Sequence, residues 1–261
     1  MNRTLIEKIP EELPHELSKL VSGARVYDSS CSPEARVYFI DKNDGYYLKI
    51  SPAGTLENEA IMDRYFHKLG LGAEVLFFST EKECDFLLTA RVEGEDSTHE
   101  NHLNDPERLC DLMATELRRL HETEATECPI ERMEGYFKTV DEGYSIGRCD
   151  LSYYTDLFGD ITKEEAYALA LSGRESLNSR VLLHGDFCLP NIMLEDFKLS
   201  GYIDLGNGGI GDRHIDIYWG IWTLIFNLHT DKYTNRFIDA YGRELVDIEK
   251  LKTVAAAECF G

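Results

Sequence analysis

The sequence lacks any long apolar run, any paired-cysteine motif and any excess of positive charge. No apolar stretch reaches the ~18 residues of a membrane-spanning helix, and the start of the chain has no hydrophobic segment typical of a signal peptide. The 27 basic residues are outnumbered by 48 acidic ones, which gives a formal net charge of -21. Because a field of that sign repels phosphate, nucleic acid and anionic membranes are poor partners. We therefore expect a cytoplasmic protein that binds neither.

The seven cysteines form no C-x-x-C motif, and their number is odd. This pattern is more typical of a reduced protein than of a disulfide scaffold or a zinc site. The 261 residues have room for one large domain or two lobes, and a hydrophobic fraction of 43% supports a sizeable core. The negative charge would attract a small polycation. The alternative explanation is that the charge only keeps the protein soluble.

The first third of the chain combines short β-type stretches with two helical patterns. Helices are predicted over residues 1–22, from leucines at helical spacing, and over residues 54–70, where Gly70 is a stop signal. Strands are predicted at residues 25–27, 36–40, 46–50, 74–78 and 85–89. The sequence Asn43-Asp44-Gly45 is typical of a tight hairpin turn.

Helical patterns dominate after a polar break at residues 91–97. Helices are predicted over residues 105–121, 162–176 and 212–228, with two more within 231–260 and short helices and loops over 125–160. The change from strands to helices places a boundary after residue 91. The chain is thus predicted to be α+β, with a small β-rich lobe over residues 1–91 and a larger, mainly helical lobe over residues 92–261.

A polar loop between two short apolar stretches is the strongest candidate for chemistry. Asp186 and Asn191 stand five positions apart in this loop, and Asp204 follows a third apolar stretch. Phosphoryl transfer needs a carboxylate that orients an attacking hydroxyl and oxygen ligands for Mg²⁺ on the phosphates. The spacing predicts Asp186 as the base and Asn191 and Asp204 as the ligands, whereas His184 is predicted to be a structural hydrogen-bonding residue. Capped turns that bond only the backbone are the alternative.

Lys49 is a second candidate, because it lies within a predicted strand and ten positions before Glu59 on the predicted helix. A strand lysine that contacts nucleotide phosphates and is held by a helix carboxylate is a feature of kinase ATP sites. In isolation, a surface lysine on an edge strand explains the pattern better. The order of Lys49, Glu59, Asp186, Asn191 and Asp204 along the chain favours the kinase interpretation.

The sequence around these residues resembles the aminoglycoside phosphotransferases, most strongly the 3'-phosphotransferase group. Residues 183–194, 200–206 and 211–218 carry the resemblance, and weaker similarity extends over most of the chain. The resemblance implies a bilobal fold like that of protein kinases, with ATP (or GTP) bound between the lobes and Mg²⁺ as cofactor. It also implies that the second substrate is an aminoglycoside.

The resemblance further implies a role for individual residues in the nucleotide site. The residues implied to bind the nucleotide are Lys49, Glu59, Ser32, Tyr47, Ala90 and Val92. The first two would orient the phosphates, the serine would contact the triphosphate, the tyrosine would stack on adenine, and the backbones of the last two would bond the edge of the base. Asp186 would be the catalytic base, with Asn191 and Asp204 as magnesium ligands.

Acidic residues of the C-terminal tail and of a variable insertion over residues 130–180 are candidates for binding the cationic substrate. They are Glu258, Asp150, Asp156 and Asp160. For Glu258, a solvated charge on a last helical turn is an equal alternative. The chain also departs from the family pattern, because Asn207 stands where some relatives have arginine and Gly261 follows the expected terminal Phe260.

Other functions remain open at this point. A kinase of another small alcohol, such as a macrolide, choline or a sugar, would use the same catalytic residues. An aromatic box for a quaternary ammonium would favour choline, and Tyr153, Tyr154 and Trp219 could be mistaken for such a box. A nucleotide-binding pseudokinase is disfavoured because the catalytic residues are retained together. A two-metal phosphatase is disfavoured because its further ligand motifs are missing from the sequence. The oligomeric state is not predicted.

Overall fold

The computed structural model describes residues 3–31 and 35–261. An antiparallel sheet with the strand order β1-β2-β3-β4-β6-β5 forms the N-terminal part. Its strands are β1 (Thr4–Ile6), β2 (Arg25–Asp28), β3 (Arg36–Asp41), β4 (Tyr46–Pro52), β5 (Val75–Glu81) and β6 (Cys84–Ala90). Two helices accompany it, α1 (His15–Val21) between β1 and β2 and α2 (Glu57–Lys68) between β4 and β5.

The prediction of one lead-in helix over residues 1–22 is wrong for its first half. Thr4–Ile6 forms β1, which pairs antiparallel with β2, and the helix begins only after Pro14. Pro14 explains this start, because proline is tolerated at a helix beginning and not within a helix. The pairing of β1 with β2 joins residues that are far apart in the sequence, so the spacing of leucines cannot predict it.

Side chains alternate between the two faces of β4, and this alternation positions residues of the functional site. Leu48 and Ile50 are buried in a small core with residues of β3 and β6, while Tyr47 and Lys49 point to the opposite face. The hairpin turn between β3 and β4 is as predicted, with Asn43 and Gly45 both at positive φ. One strand thus supplies core residues on one face and cavity residues on the other.

Helices dominate the C-terminal part. They are α3 (Glu100–Leu103), α4 (Pro106–Glu122), α5 (Arg132–Ser145), α6 (Ser152–Phe158), α7 (Lys163–Gly173), α8 (His214–Leu228), α9 (Thr234–Tyr241) and α10 (Ile248–Glu258). α4 and α7 begin where helices were predicted, and both have N-caps: Asp105 accepts from the Arg108 amide, and Thr162 forms a capping box with Glu165. No helix in the described ranges is both long and apolar enough to cross a lipid bilayer.

Five short strands lie among these helices. They are β7 (Glu95–Asp96), β8 (Val181–Leu183), β9 (Ile192–Glu195), β10 (Lys198–Tyr202) and β11 (Gly209–Gly211). β7 and β10 pair with β9, and β11 pairs with β8. The buried β8 and β9 present the polar loop between them toward the N-terminal sheet. The predicted α+β class, with a small β-rich part and a larger helical part, is confirmed.

Candidate active site

The loop between β8 and β9 brings Asp186 and Asn191 into contact. The Asn191 amide nitrogen donates to the carbonyl oxygen of Asp186 at 3.0 Å and to its carboxylate at 2.9 Å. A short 3₁₀ helix over Leu189–Asn191, anchored by the buried Leu189, turns the chain so that the two side chains meet. Because the amide nitrogen is engaged, the amide oxygen of Asn191 is the atom left for a ligand.

Asp216 on α8 holds the start of this loop. Its carboxylate, which has no exposed surface, accepts the backbone amides of His184 at 2.8 Å and Gly185 at 2.7 Å. The Nε2 atom of His121 lies 3.1 Å from the same carboxylate. A buried carboxylate needs such partners, so the loop position is fixed by the core of the helical part. The Nδ1 atom of the buried His184 accepts the Asp186 amide at 3.3 Å, which agrees with the structural role predicted for this histidine.

Gly185 offers a direct test of how tightly the loop is packed. Its φ is +86°, and an added Cβ would lie 1.9 Å from the Asn207 carbonyl oxygen. Gly185→Ala should therefore cost about 3 kcal/mol or more, the sum of a left-handed backbone and a clash. Gly147→Ala is the matched control, because Gly147 has a φ of +82° with nothing within 4 Å. It should cost about 1 kcal/mol, and equal losses in chemical denaturation would contradict the packing argument.

Lys49 joins three elements at the base of the cleft. Its ammonium group donates to both carboxylate oxygens of Glu59 on α2 at 2.8 Å and to Asp204 Oδ1 at 2.8 Å. Burial lowers the pKa of Lys49, but the charges of Glu59 and Asp204 outweigh it and hold the pKa above its ordinary value. The lysine is therefore a permanent cation, as a group that contacts phosphates must be.

Asp204 follows β10 in a strained backbone conformation. Its φ of 61° and ψ of 54° lie in the left-handed region, which costs a non-glycine residue free energy and is found at functional sites. Partial burial raises the pKa of Asp204, but Lys49 outweighs it and holds the pKa below its ordinary value. Its carboxylate is therefore ionised, and half of its side-chain surface, 50%, remains exposed toward the cleft.

The oxygens of Asn191 and Asp204 fit Mg²⁺. This ion prefers oxygen ligands, and in phosphoryl-transfer enzymes it is bound by one or two protein groups together with substrate phosphates. Within residues 3–31 and 35–261, no group of three or more His, Cys, Asp or Glu side chains is placed to hold a metal by itself. The donor set thus suits an ion that arrives with a nucleotide rather than one caged by protein.

A cavity of about 540 Å³ lies between the sheet and the loop. It is lined by Tyr47, Lys49, Glu59, Ala90, Val92, Asn191 and Asp204. The structure therefore brings together every residue predicted for the nucleotide and the metal, except Ser32, which lies outside the described residues. Apolar walls from both parts of the chain complete the cavity, including Leu87 and Met193. This first cavity has the size and lining of a small-molecule site.

Asp63 lines the first cavity and was missed by sequence reasoning. It lies one helical turn after Glu59 and is only 4% exposed. Burial and the neighbouring Glu59 carboxylate raise the pKa of Asp63 well above its ordinary value. An aspartate within a charged helix resembles a surface residue in the sequence, so only the packing of α2 reveals it.

A second cavity of about 410 Å³ adjoins Asp186 on the other side of the loop. Helix α5 contributes Arg132 and Tyr136, α8 contributes Trp219, and the tail contributes Glu258 and Gly261. The tail is held there by close packing, since a Cβ on Gly143 of α5 would lie 2.0 Å from the Phe260 carbonyl oxygen. Asp186 therefore faces a space distinct from the nucleotide cavity.

Glu258 is the main acidic group of the second cavity apart from Asp186. Burial raises the pKa of Glu258 to about 7, and the Asp186 charge adds to this. The hydrogen bond from the Tyr136 hydroxyl, at 2.8 Å, and the nearby Arg132 and Trp219 act in the opposite direction. Such a group changes charge near neutral pH.

The other predicted acidic residues lie elsewhere on the surface. Asp150 is exposed and accepts from the amide and hydroxyl of Ser152 at the start of α6, while its own amide donates to Cys259 in the tail. Asp156 and Asp160 are exposed, and in the described chain neither these two nor Asp150 line the second cavity. Their role in substrate binding stays a prediction.

Residues 32–253 match the model of the phosphotransferase enzyme family. The chain belongs to this family. A probable aminoglycoside 3'-phosphotransferase of Lactococcus lactis is 47% identical over 99% of this chain and 97% of that protein. The predicted family and class of enzyme are therefore confirmed.

Solved structures of the phosphotransferase family share the fold. A type VIII aminoglycoside 3'-phosphotransferase superposes with a TM-score of 0.79 at 20% identity, covering 94% of this chain and 97% of that one. An aminoglycoside phosphotransferase of Streptomyces rimosus, solved with ADP and streptomycin, gives 0.72 at 22% identity over 86% and 90%. The predicted bilobal kinase-like fold is confirmed by these likenesses.

Sequence reasoning missed several residues of this phosphotransferase that the fold places around Asp186. Arg132 donates to Asn207 Oδ1 at 2.9 Å, and its guanidinium lies 6.0 Å from the Tyr136 ring centre. Arg132 of α5 thus lies beside Asn207 in the lining of the second cavity. Local sequence spacing does not predict Arg132, Tyr136 or Asp216 as site residues, because each reaches the site through a contact with a residue far away in the sequence.

Proposed function

We propose that this chain transfers the γ-phosphoryl group of ATP or GTP to a hydroxyl of an aminoglycoside, at the 3' position. The position of Asp186 carries the proposal: its carboxylate bonds Asn191, which lines the first cavity, and itself lines the second. The base thus stands where a nucleotide and an acceptor would meet. The 3' position rests on the 3'-phosphotransferases among the relatives.

In the proposed reaction the acceptor hydroxyl lies beside Asp186. Its oxygen attacks the γ-phosphorus, its proton passes to the Asp186 carboxylate, and the bond to the β-phosphate oxygen breaks to release the nucleoside diphosphate. Lys49, held by Glu59, would orient the phosphates. Mg²⁺, when bound, would neutralise their charge, and Asn191 and Asp204 are the residues that would hold it.

The remaining nucleotide contacts are proposed on the same basis. Tyr47 lines the first cavity beside Lys49, two positions along the same strand face, so its ring is available to stack on the base. Ala90 and Val92 line the cavity at the end of β6, where the chain passes from residues 1–91 to residues 92–261. We propose these two ranges as the lobes that enclose the nucleotide.

The charge of the second cavity supports a cationic acceptor. Asp186 and Glu258 face it, and the chain carries a net charge of -21 that would draw in a polycation. An aminoglycoside carries several ammonium groups and can pair with both carboxylates, whereas a neutral sugar could only donate hydrogen bonds to them and choline would bring a single charge.

The titration of Glu258 gives a testable pH dependence. Because its pKa is raised to about 7, Glu258 is ionised above that pH and neutral below it. The kcat/KM for the aminoglycoside should therefore fall as the pH drops below about 7, since a neutral group does not attract an ammonium ion. Glu258→Gln should lower kcat/KM at high pH and flatten this limb. A mutant that keeps the limb while KM for ATP is unchanged would contradict the assignment.

A screen of nucleotide consumption tests the proposed acceptor. The protein, ATP and Mg²⁺ are combined with a kanamycin-type aminoglycoside, a streptomycin-type aminoglycoside, a macrolide or choline, with GTP as an alternative donor. We expect turnover with the kanamycin-type compound. Turnover with choline or the macrolide, and none with either aminoglycoside, would overturn the proposal.

A further inference from the structure

Four aromatic side chains form a continuous row beside the second cavity, which we call the aromatic ladder: Tyr153, Trp219, Trp222 and Phe226. The ring centres of Trp219 and Trp222 are 5.4 Å apart, and those of Trp222 and Phe226 are 4.9 Å apart and nearly parallel. Tyr153 lies 5.7 Å from both tryptophans. The three residues of α8 recur at helical spacing, so they share one helix face.

The aromatic ladder runs from the second cavity to the surface. Trp219 lines that cavity together with Asp186 and Glu258. At the other end Phe226 is 60% exposed, although its ring stacks on Trp222. The Tyr218 hydroxyl donates to the Tyr153 carbonyl at 2.7 Å and fixes α6 against α8. Core packing does not require an aromatic row that continues into solvent.

The surroundings of the aromatic ladder are negatively charged. The carboxylates of Asp186 and Glu258 line the second cavity together with Trp219. Burial raises the pKa of Tyr153, and the charges of Asp150, Glu258 and Asp186 add to this. An organic cation gains both from carboxylates and from the faces of aromatic rings. The apolar faces of sugar rings also pack on aromatic side chains by burial of area.

We propose that the aromatic ladder binds the amino-sugar rings of the acceptor that lie beyond the ring being phosphorylated. The inference rests on the proposed function and extends it from the reacting hydroxyl to the rest of the substrate. The ladder is continuous with the second cavity and lies beside the carboxylates of Asp186 and Glu258. Both features favour cationic amino-sugar rings as its ligand. Tyr153, Tyr154 and Trp219 do not form a closed aromatic box for choline, because Tyr154 is buried and packs on Phe158 rather than beside Trp219.

Tryptophan fluorescence tests the proposal without turnover. The chain has two tryptophans, both in the aromatic ladder, so in Trp219→Phe the emission comes from Trp222 alone. Neomycin, which extends neamine by further amino-sugar rings, should change this emission on saturation, whereas neamine should change it far less. Identical responses to both compounds, or none to neomycin, would overturn the proposal.

Kinetics supply an independent measurement. Phe226→Ala should raise the KM for neomycin about 2-fold to 5-fold, the value of one exposed aromatic contact, and the KM for neamine less. Leu5→Ala is the matched control, because Leu5 is 61% exposed and lies on β1. It should change neither KM.

Three results of this comparison would count against the aromatic ladder as a substrate site. One is an equal rise, or no rise, in both KM values for Phe226→Ala. Another is a stable dimer in sedimentation that Phe226→Ala dissociates, since the ladder would then face a second copy. A third is an unchanged neomycin KM for Phe226→Leu, the variant to use if the alanine form does not fold. If neither compound is phosphorylated by the unmodified protein, the proposed function fails instead.

Discussion

Asp186→Asn should lower kcat about 10²-fold to 10⁴-fold, the range for loss of a general base. The replacement keeps the shape of the side chain and a carbonyl oxygen that can still accept from Asn191, which bonds Asp186 at 2.9 Å. Binding of ATP should be nearly unchanged, because Lys49, Glu59 and Asp204 keep their contacts. Steady-state kinetics with the aminoglycoside and calorimetric titration with ATP measure the two quantities separately.

The control for this variant is Asp231→Asn, the same replacement at an exposed aspartate outside both cavities. It should leave kcat and ATP affinity unchanged. Lost ATP affinity in Asp186→Asn with normal turnover would contradict the role of Asp186 as base and would assign it to the nucleotide instead.

Asp204→Asn should lower kcat about 10²-fold at low Mg²⁺, as expected when a metal ligand worth several kcal/mol loses its charge. Asparagine tolerates the left-handed backbone that Asp204 adopts, so the fold should survive. The Mg²⁺ concentration for half-maximal activity should rise, and excess Mg²⁺ should restore part of the rate. A chelator should abolish the activity of both forms.

Asp196→Asn is the matched control for this second variant. Asp196 also has a positive φ, of 48°, but lies exposed between β9 and β10. Its replacement should leave the Mg²⁺ dependence unchanged. If Asp204→Asn and Asp196→Asn show the same Mg²⁺ dependence, Asp204 does not bind the metal.

The parts of the site that sequence predicted are those set by local spacing or by strand alternation. Asp186 and Asn191 meet because they are only five positions apart and a 3₁₀ helix turns the chain between them. Tyr47 and Lys49 share a strand face because side chains alternate along β4. Helix starts are also set locally, because the capping residue lies next to the first turn. α4 and α7, which have side-chain N-caps, therefore begin where they were predicted to begin.

The parts that sequence did not predict depend on contacts across the fold. Asp216 reaches the loop from a helix that begins after β11, and its carboxylate accepts two backbone amides that no side-chain pattern reveals. Arg132 reaches Asn207 across 75 residues. β1 depends on pairing with β2 rather than on its own three residues. Such positions follow from packing, and packing is the information that spacing lacks.

Charge and position in the insertion are weaker guides to the substrate site than packing. Asp150, Asp156 and Asp160 are predicted substrate ligands on those two grounds, and because the fold leaves all three exposed and outside the lining of the second cavity, their role stays a prediction. The second cavity combines Glu258 with Tyr136, Arg132 and Trp219. A charge count describes the attraction of the whole chain for a cation, whereas the binding geometry comes from the helices that pack around the tail.

The product of the reaction tests the central claim most directly. The protein is incubated with ATP, Mg²⁺ and a kanamycin-type aminoglycoside, and the product is analysed by mass spectrometry and by phosphorus–proton correlation NMR. We predict the addition of one phosphoryl group at the 3'-hydroxyl, and no product from the 3'-deoxy analogue. Phosphorylation of the 3'-deoxy analogue at an equal rate, or nucleotide hydrolysis without a phosphorylated aminoglycoside, would contradict the account.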